Sequence, residues 1–251
     1  MIRDLGTFSP KRPGKLTAPL FAMLLNGVHD RHQGKVFVLQ VGAGNGQTGL
    51  PLYPRFRDDG WSGLLIEPHP QNFAQLDALH ANGERVAVLN LGISDVSANL
   101  PLHSLTPEAE ARNRRAPRGR ASLIRDRITT ASTTADDLAS DEVPFLRLDT
   151  VLTELGIDSA QVLAINAGGH EAQILASFQL AALDPALVTV HSTPDTASDA
   201  TCITRLTDAG YHPFRVAGWL IGLAPDRLAV PLEDLLTFFQ KGLGQPQDED
   251  E

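Results

Sequence analysis

The sequence predicts an α/β fold with a mostly parallel sheet and helices on both of its faces, and three observations carry that expectation. Short apolar, β-branched runs alternate with stretches of helical periodicity through most of the chain. These runs are too apolar to leave one face wet, as strands of a covered parallel sheet are. The first run, KVFVLQV, ends directly on a glycine-rich turn, VGAGNGQTG.

Leu16, Leu20, Met23, Leu24 and Val28 recur at helical spacing, so residues 16 to 32 read as a leading helix lying on the sheet. Lys35 to Val41 is the first strand, Gly63 to Glu67 the second and Arg85 to Ile93 the third. Between the last two, Phe73, Leu76 and Leu79 mark an amphipathic helix over Gln71 to Ala81. Periodicity fades between His103 and Val143, and seven arginines fall between Arg112 and Arg127, so this stretch reads as an insertion or lid. Asp149 is placed to cap a helix, TVLTELG, that stops at Gly156, and Gln161 to Asn166 is a buried fourth strand. A helix around Glu171 to Leu183, a strand ending at His191 and a helix around Ala200 to Ala209 continue the alternation. Tyr211 to Val216 and Trp219 to Ala224, separated by Ala217-Gly218, read as an antiparallel hairpin. Residues 1–34 are then a helical segment, 35–240 one domain with its Arg-rich insertion at 103–143, and 241–251 an acidic tail expected to be disordered.

Composition narrows the function classes. The 251 residues are 42% hydrophobic and 20% charged, as in ordinary globular enzymes. A formal charge of −9 argues against a general nucleic-acid binder, whose affinity comes mostly from a basic surface. The lone Cys202 cannot form an internal disulfide, and neither a signal peptide nor a membrane span is legible. A soluble protein of the reduced cytoplasm is expected.

Gly42, Gly44 and Gly46 follow the first strand in the spacing GxGxG, placed to turn sharply and open a helix. Without Cβ atoms a ligand can approach the backbone, and free N–H groups favour a polar or anionic group. Glu67 ends the second strand 21 positions beyond Gly46, the separation at which a carboxylate reaches a ribose diol. The third strand ends in GISD, which brings Asp95 to the expected position of an adenine amino group, with Ile93 and Pro68 flanking the purine. Gly44-x-Gly46-x-x-Gly49 also fits the dinucleotide fingerprint, so a nicotinamide-dependent oxidoreductase is an alternative. The first glycine abutting the strand, the Glu67-Pro68 pair and the closing hairpin favour S-adenosylmethionine.

Five blocks in order, VGAGNGQTG, GWSGLLIEPHP, NLGISD, VPFLRLDTVLTELGI and LAINAGGHEAQIL, resemble the FkbM-type methyltransferases over about Val36 to Tyr211. The resemblance implies a class I methyltransferase fold with a seven-stranded sheet, S-adenosylmethionine as donor, and O-methylation of a small molecule, sugar or glycolipid. By position it implies that Gly42, Gly44 and Gly46 cradle the methionine portion, Glu67 the ribose and Asp95 the adenine. Ala43, Asn45, Pro68, Ile93, Ser94 and Asn166 complete the candidate cofactor set. The fourth-strand motif departs from the family pattern: Asn166 stands where an aspartate is typical and Gly168 where a glutamate is, while Gly169 and Glu171 remain.

An amide can hydrogen-bond but cannot act as a general base. A cofactor-binding protein without transfer activity is therefore the second reading. Asn166, His170 and His191 are the candidate catalytic residues, either histidine being a possible proton acceptor or simply a polar loop residue. Asn166, His170, Glu171 and His191 show no diagnostic metal-ligand spacing, and no metal is expected. The arginine stretch reads either as the solvated face of a lid or as a clamp for phosphate or carboxylate on the acceptor. Few aromatics interleave it, which speaks against RNA.

Overall fold

The structure, a computed structural model, describes residues 14–47, 49–112, 119–194 and 196–243. A helix, α1 (Gly14–Arg31), leads into strand β1 (Phe37–Val41). Then come α2 (Tyr53–Asp58), β2 (Ser62–Ile66), α3 (Pro70–His80) and β3 (Val86–Leu89). The middle of the chain contributes β4 (Gly92–Ile93), β5 (Ala98–Leu105), α4 (Pro107–Arg112), β6 (Ala121–Ser122) and β7 (Leu138–Leu146). Alternation resumes with α5 (Leu148–Leu155), β8 (Val162–Ile165), α6 (Glu171–Ala176), α7 (Leu180–Leu183), β9 (Leu187–His191) and α8 (Ala197–Asp208). The chain closes with β10 (His212–Val216), β11 (Trp219–Leu223) and α9 (Leu232–Leu243).

Seven strands form the main sheet in the order β10-β11-β9-β8-β1-β2-β3. All neighbours are parallel except the β10–β11 hairpin and its β11–β9 seam. This is the class I methyltransferase order, with the hairpin where the sequence predicted it. Alternate side chains feed two cores, because successive residues of a strand face opposite ways. Leu39 and Val41 of β1 and Leu163 and Ile165 of β8 pack among residues of α5 to α8. Val38, Val162 and Ala164 pack on the other face against Leu20, Leu24 and Val28 of α1, Phe56 of α2 and Leu76 of α3. Each such fully buried aliphatic side chain stabilises the fold by ~1.5–3 kcal/mol. Val41 is level with Ile66 on one side and Ile165 on the other. The carboxyl ends of β1, β2 and β8 thus form one rim, and strand order reverses between β1 and β8, where ligands of open α/β sheets bind.

Several expectations are corrected. Within the stretch expected as an insertion or lid, 103–143, where periodicity fades, the described residues supply β6 and parts of β5 and β7 to a second, four-stranded sheet, β4-β7-β5-β6. Its polar outer face, with Asp141 and Glu142 exposed, and the prolines at 101 and 144 dilute the strand signal. The expected third strand splits: β3 stays in the main sheet and β4 leaves it to pair with β7. Asp149 caps nothing; it lies in the first turn of α5, held by Arg147 at 2.6 Å. The helix expected over 171–183 breaks after Ala176, where Ser177 turns its hydroxyl to the Ile174 carbonyl. No helix opens at the glycine loop either: after Gly46 the next one is α2, beginning at Tyr53. Helix α9 was not foreseen and runs through Leu243, past the expected boundary at 240. The acidic tail and Arg114, Arg115 and Arg118 lie outside the described residues. Among the described residues no helix is long and apolar enough to cross a membrane.

Candidate functional site

At the rim of β1, β2 and β8 lies a cavity of about 520 Å³, within the range of small-molecule sites. Its floor comes from the main sheet and its roof from the second. The Gly42 N–H and Ala43 N–H both donate to the Ile66 carbonyl, at 2.9 and 3.1 Å, so the chain leaves β1 hugging the end of β2. Gly42 has φ +74°, and a Cβ there would lie 1.9 Å from the Asn166 carbonyl oxygen. Only glycine permits this closeness of the two strand ends.

Glu67 turns inward from the end of β2 and is 5% exposed. Its Oε2 accepts the Gly44 N–H at 2.7 Å, and its Oε1 accepts the His69 N–H at 3.0 Å and the Asn72 side-chain amide at 3.4 Å. Burial pushes its pKa above the usual carboxylate range, while the bonds from His69, Gly44 and Asn72 pull the other way. The second hydrogen of the Asn72 amide goes to the Gly119 carbonyl at 2.7 Å, tying the roof to α3. A second tie runs from the Ser122 hydroxyl to the Gly168 carbonyl at 2.9 Å.

Of the residues expected from the sequence, Gly42, Gly44, Asn45, Glu67, Pro68, Ile93, Asn166, His170 and His191 all line the cavity. Four expected cofactor contacts do not. Ala43 is buried in the core. Gly46 faces α3, where a Cβ would meet Leu76 and Leu79 at 2.7 and 2.9 Å. Ser94 is buried behind the wall, and Asp95 is exposed beyond it.

Ser94 and Asp95 instead support His170. The Ser94 hydroxyl lies 3.1 Å from the Asp95 carboxylate, to which it donates, and 2.9 Å from Nε2 of His170. With that hydroxyl hydrogen committed to Asp95, Nε2–H donates to Ser94 and Nδ1 keeps the basic lone pair. Burial lowers the His170 pKa, with Asp95 opposing, so the imidazole is neutral at neutral pH. His191, at the end of β9, stands edge-on to Trp219 with ring centroids 4.8 Å apart. Its pKa is lowered by the protein packed around it and by Arg120 and Arg215, against the pull of Glu171. Glu171 itself is buried beneath the loop, accepting the N–H groups of Ala167 and Gly169 at 3.2 and 3.0 Å.

A family model described as the methyltransferase FkbM domain matches residues 40–213. The chain belongs to the FkbM methyltransferase family. No curated protein matches it. Among solved structures it is similar to an FkbM methyltransferase from Methylobacillus flagellatus KT, at 12% identity and TM-score 0.48, over 76% of this chain. The chain spans 44% of the length of that protein. It is also similar to human methyltransferase-like protein 13 in complex with SAH, at 12% identity and TM-score 0.43, covering 97% of this chain and 96% of that one. A third is the magnesium protoporphyrin IX methyltransferase of Synechocystis PCC 6803 with bound SAM, at 11% identity and TM-score 0.42, covering 88% and 86%.

The two departures from the FkbM motif both lie at the cavity. Asn166 is exposed to it, and Gly168, at φ +62°, lies under the roof, where a Cβ would be 3.0 Å from the Ala121 carbonyl oxygen. Sequence reasoning missed Asn72, Leu102 and Phe145, which also line the site. Asn72 carries no signal of its own, being one polar position on an amphipathic helix. Leu102 and Phe145 come from the strands hidden in the weak middle segment.

Proposed function

We propose that this FkbM-family protein transfers a methyl group from S-adenosylmethionine to a hydroxyl of a small molecule, sugar or glycolipid. The observation that carries the reading is Glu67, a buried carboxylate held at the wall of the cavity by the Gly44 N–H. The surroundings fit that cofactor. Glu67 can accept from a ribose hydroxyl, Ile93 and Pro68 offer apolar flanks for adenine, and Gly42 and Gly44 keep side chains out of the methionine's way. When bound, the cofactor supplies an electrophilic methyl group.

The protein's own part is then to hold the acceptor oxygen and take its proton. Asn166 can hydrogen-bond the acceptor or the cofactor's amine but cannot remove a proton. His170, neutral and with Nδ1 unprotonated, can serve as the base, and His191 is the second candidate. Displacement at a methyl depends chiefly on in-line positioning, so a roof tied to both sides of the cavity contributes by restricting motion and excluding water.

A dinucleotide fits less well. No helix starts at the glycine loop, and the Gly44 N–H that would meet a diphosphate already faces a carboxylate. A reduced cytoplasm suits the single buried Cys202, whose thiol burial pushes up to about 12 and so leaves inert.

Calorimetric titration with S-adenosylhomocysteine and with NAD tests the cofactor. Tight binding of the first and none of the second is expected; the reverse overturns the reading. Methyl transfer from labelled S-adenosylmethionine to hydroxylated extracts then separates an enzyme from a protein that binds the cofactor without using it.

A further inference from the structure

We propose that the methyl acceptor carries an anionic oxygen group, carboxylate or phosphate, which Arg120 and Arg127 hold against the β8–β9 side of the cavity. This inference rests on the methyltransferase reading for the identity of its ligand as the acceptor.

Charge is unevenly distributed around the cavity. Among the described residues lining it, Glu67 is the one carboxylate; it sits at the end of β2 with three N–H groups already donating to it. Arg120 and Arg127 also line the cavity, together with His170 and His191. Arg127 donates to the hydroxyl of Thr193, just beyond the end of β9, and Arg120 donates to the Arg127 carbonyl at 2.7 Å. Arg120 also acts electrostatically on His191, lowering its pKa.

Both guanidinium groups are therefore oriented by neutral partners. Neither forms an ion pair among the described residues, unlike Arg55, Arg112, Arg147, Arg215 and Arg227. A guanidinium has five N–H donors in a rigid fork suited to a carboxylate or phosphate. Each of these two has donors to spare. In a protein of net charge −9, a pair of uncompensated cations at a cavity wall is a specific local feature.

The altered fourth-strand motif accounts for the same arrangement. Where acids are typical, the floor has Asn166 and Gly168, so the described lining carries no carboxylate besides Glu67. A side chain at Gly168 would press on the Ala121 carbonyl and the Ser122 side chain, and one at Gly169 would press on Arg127, with its Cβ 3.2 Å from the arginine Nε. A glutamate at 168 would displace the segment carrying both arginines and also neutralise them. With Asn166 and Gly168 in place of acids, the floor beneath the two arginines adds no negative charge that would compete with an anion.

Inorganic phosphate and malonate serve as probes, titrated into the full-length protein with and without saturating S-adenosylhomocysteine. At least one is expected to bind, and to weaken roughly 10- to 100-fold in both Arg120→Gln and Arg127→Gln. Binding should be unchanged in Arg125→Gln, an exposed arginine of the same segment that does not line the cavity. Affinity for S-adenosylhomocysteine should be unchanged throughout. Arg127→Lys, which keeps the charge, covers the case in which Arg127→Gln does not fold and should retain most of the anion affinity. Tighter phosphate binding points to a phosphorylated acceptor, tighter malonate binding to a carboxylate.

The proposal is overturned if neither anion binds at tens of millimolar, or if Arg125→Gln weakens binding equally. It is also overturned if S-adenosylhomocysteine affinity falls along with anion affinity, since the arginines would then serve the cofactor's own carboxylate. Should S-adenosylhomocysteine not bind the unaltered protein at all, the cofactor reading fails, while anion titration of the unliganded protein still decides whether the arginines form a site.

Discussion

Replacing Glu67 with glutamine keeps the shape of a buried side chain while removing its charge and one of its acceptors. The carboxylate has N–H donors on both oxygens, Gly44 at 2.7 Å on one and His69 at 3.0 Å with Asn72 at 3.4 Å on the other. An amide must turn its NH2 toward one of these sides, setting donor against donor. If it keeps His69 and Asn72, the Gly44 N–H loses its acceptor at a cost of about 1–3 kcal/mol. Relief from burying a charge offsets part of this, so only a small change in melting temperature is expected.

Binding is the sharper readout. A charge-assisted bond to the ribose is worth about 1.5–3 kcal/mol, so S-adenosylhomocysteine should bind roughly 10- to 150-fold more weakly to Glu67→Gln. Burial raises the Glu67 pKa, so in the unliganded protein its contribution to stability is full below the ordinary carboxylate range and lost as pH rises through the folded value. Ligand affinity runs the other way, falling as acid protonates the carboxyl, and this fall should begin above the ordinary carboxylate range. Calorimetric titrations from neutral to mildly acid pH measure both effects. If Glu67→Gln and Glu67→Ala both bind within about threefold of the unaltered protein, the ribose contact is refuted.

Gly42→Ala should destabilise the protein by roughly 2–4 kcal/mol, because it adds a collision with the Asn166 carbonyl to a left-handed backbone. Gly49→Ala, at φ +90° with no atom near the added methyl, should cost only about 1–2 kcal/mol of backbone strain. Thermal melting compares the pair, and equal shifts would remove the argument from strand closeness. His170 should titrate below the ordinary imidazole range of ~6.5 when followed by NMR, so its stability contribution is present above that range and lost as pH falls through the lowered value. If it is the base, the rate should rise with pH through that same low midpoint; a midpoint at or above the ordinary value would dismiss the role. Asp199, 4% exposed, holds Arg215 and the Ser192 hydroxyl. Arg215→Ala should cost about 2–3 kcal/mol in chemical denaturation, discounted from a fully buried pair because the arginine is partly exposed, and a loss under 1 kcal/mol would mean that water replaces it.

The main sheet was readable because its central strands are buried on both faces, so Val162 to Ile165 appears as an unbroken apolar run and Val38 to Val41 as one interrupted only by Gln40. The second sheet was not. Its two long strands, β5 and β7, each have one wet face, and the small core beneath them rests on Leu102, Val143 and Phe145, too few positions to set a period. Where chemistry and spacing coincide, at Gly42, Gly44 and Glu67, the residues read from the sequence line the cavity. Placement at the cavity was not legible where position along a strand does not fix side-chain direction. Ser94 and Asp95 follow β4 after it has left the main sheet, and their side chains turn toward His170 and solvent rather than into the cavity. Gly46 was assigned to the ligand because it completes the spacing, yet its missing Cβ makes room for α3. Arg120 and Arg127 could be noticed in the sequence only as part of a long basic run; nothing in that run distinguishes them from Arg125.

The roof has its own small apolar nucleus in Leu102, Val143 and Phe145, separate from the two clusters that flank the main sheet. Substitutions within that nucleus should therefore leave the packing of the main-sheet strands largely untouched. Under the proposed function, choice of acceptor can then drift through changes at Leu102, Val143 and Phe145, while Gly42, pinned between two strand tips, leaves the base almost no latitude.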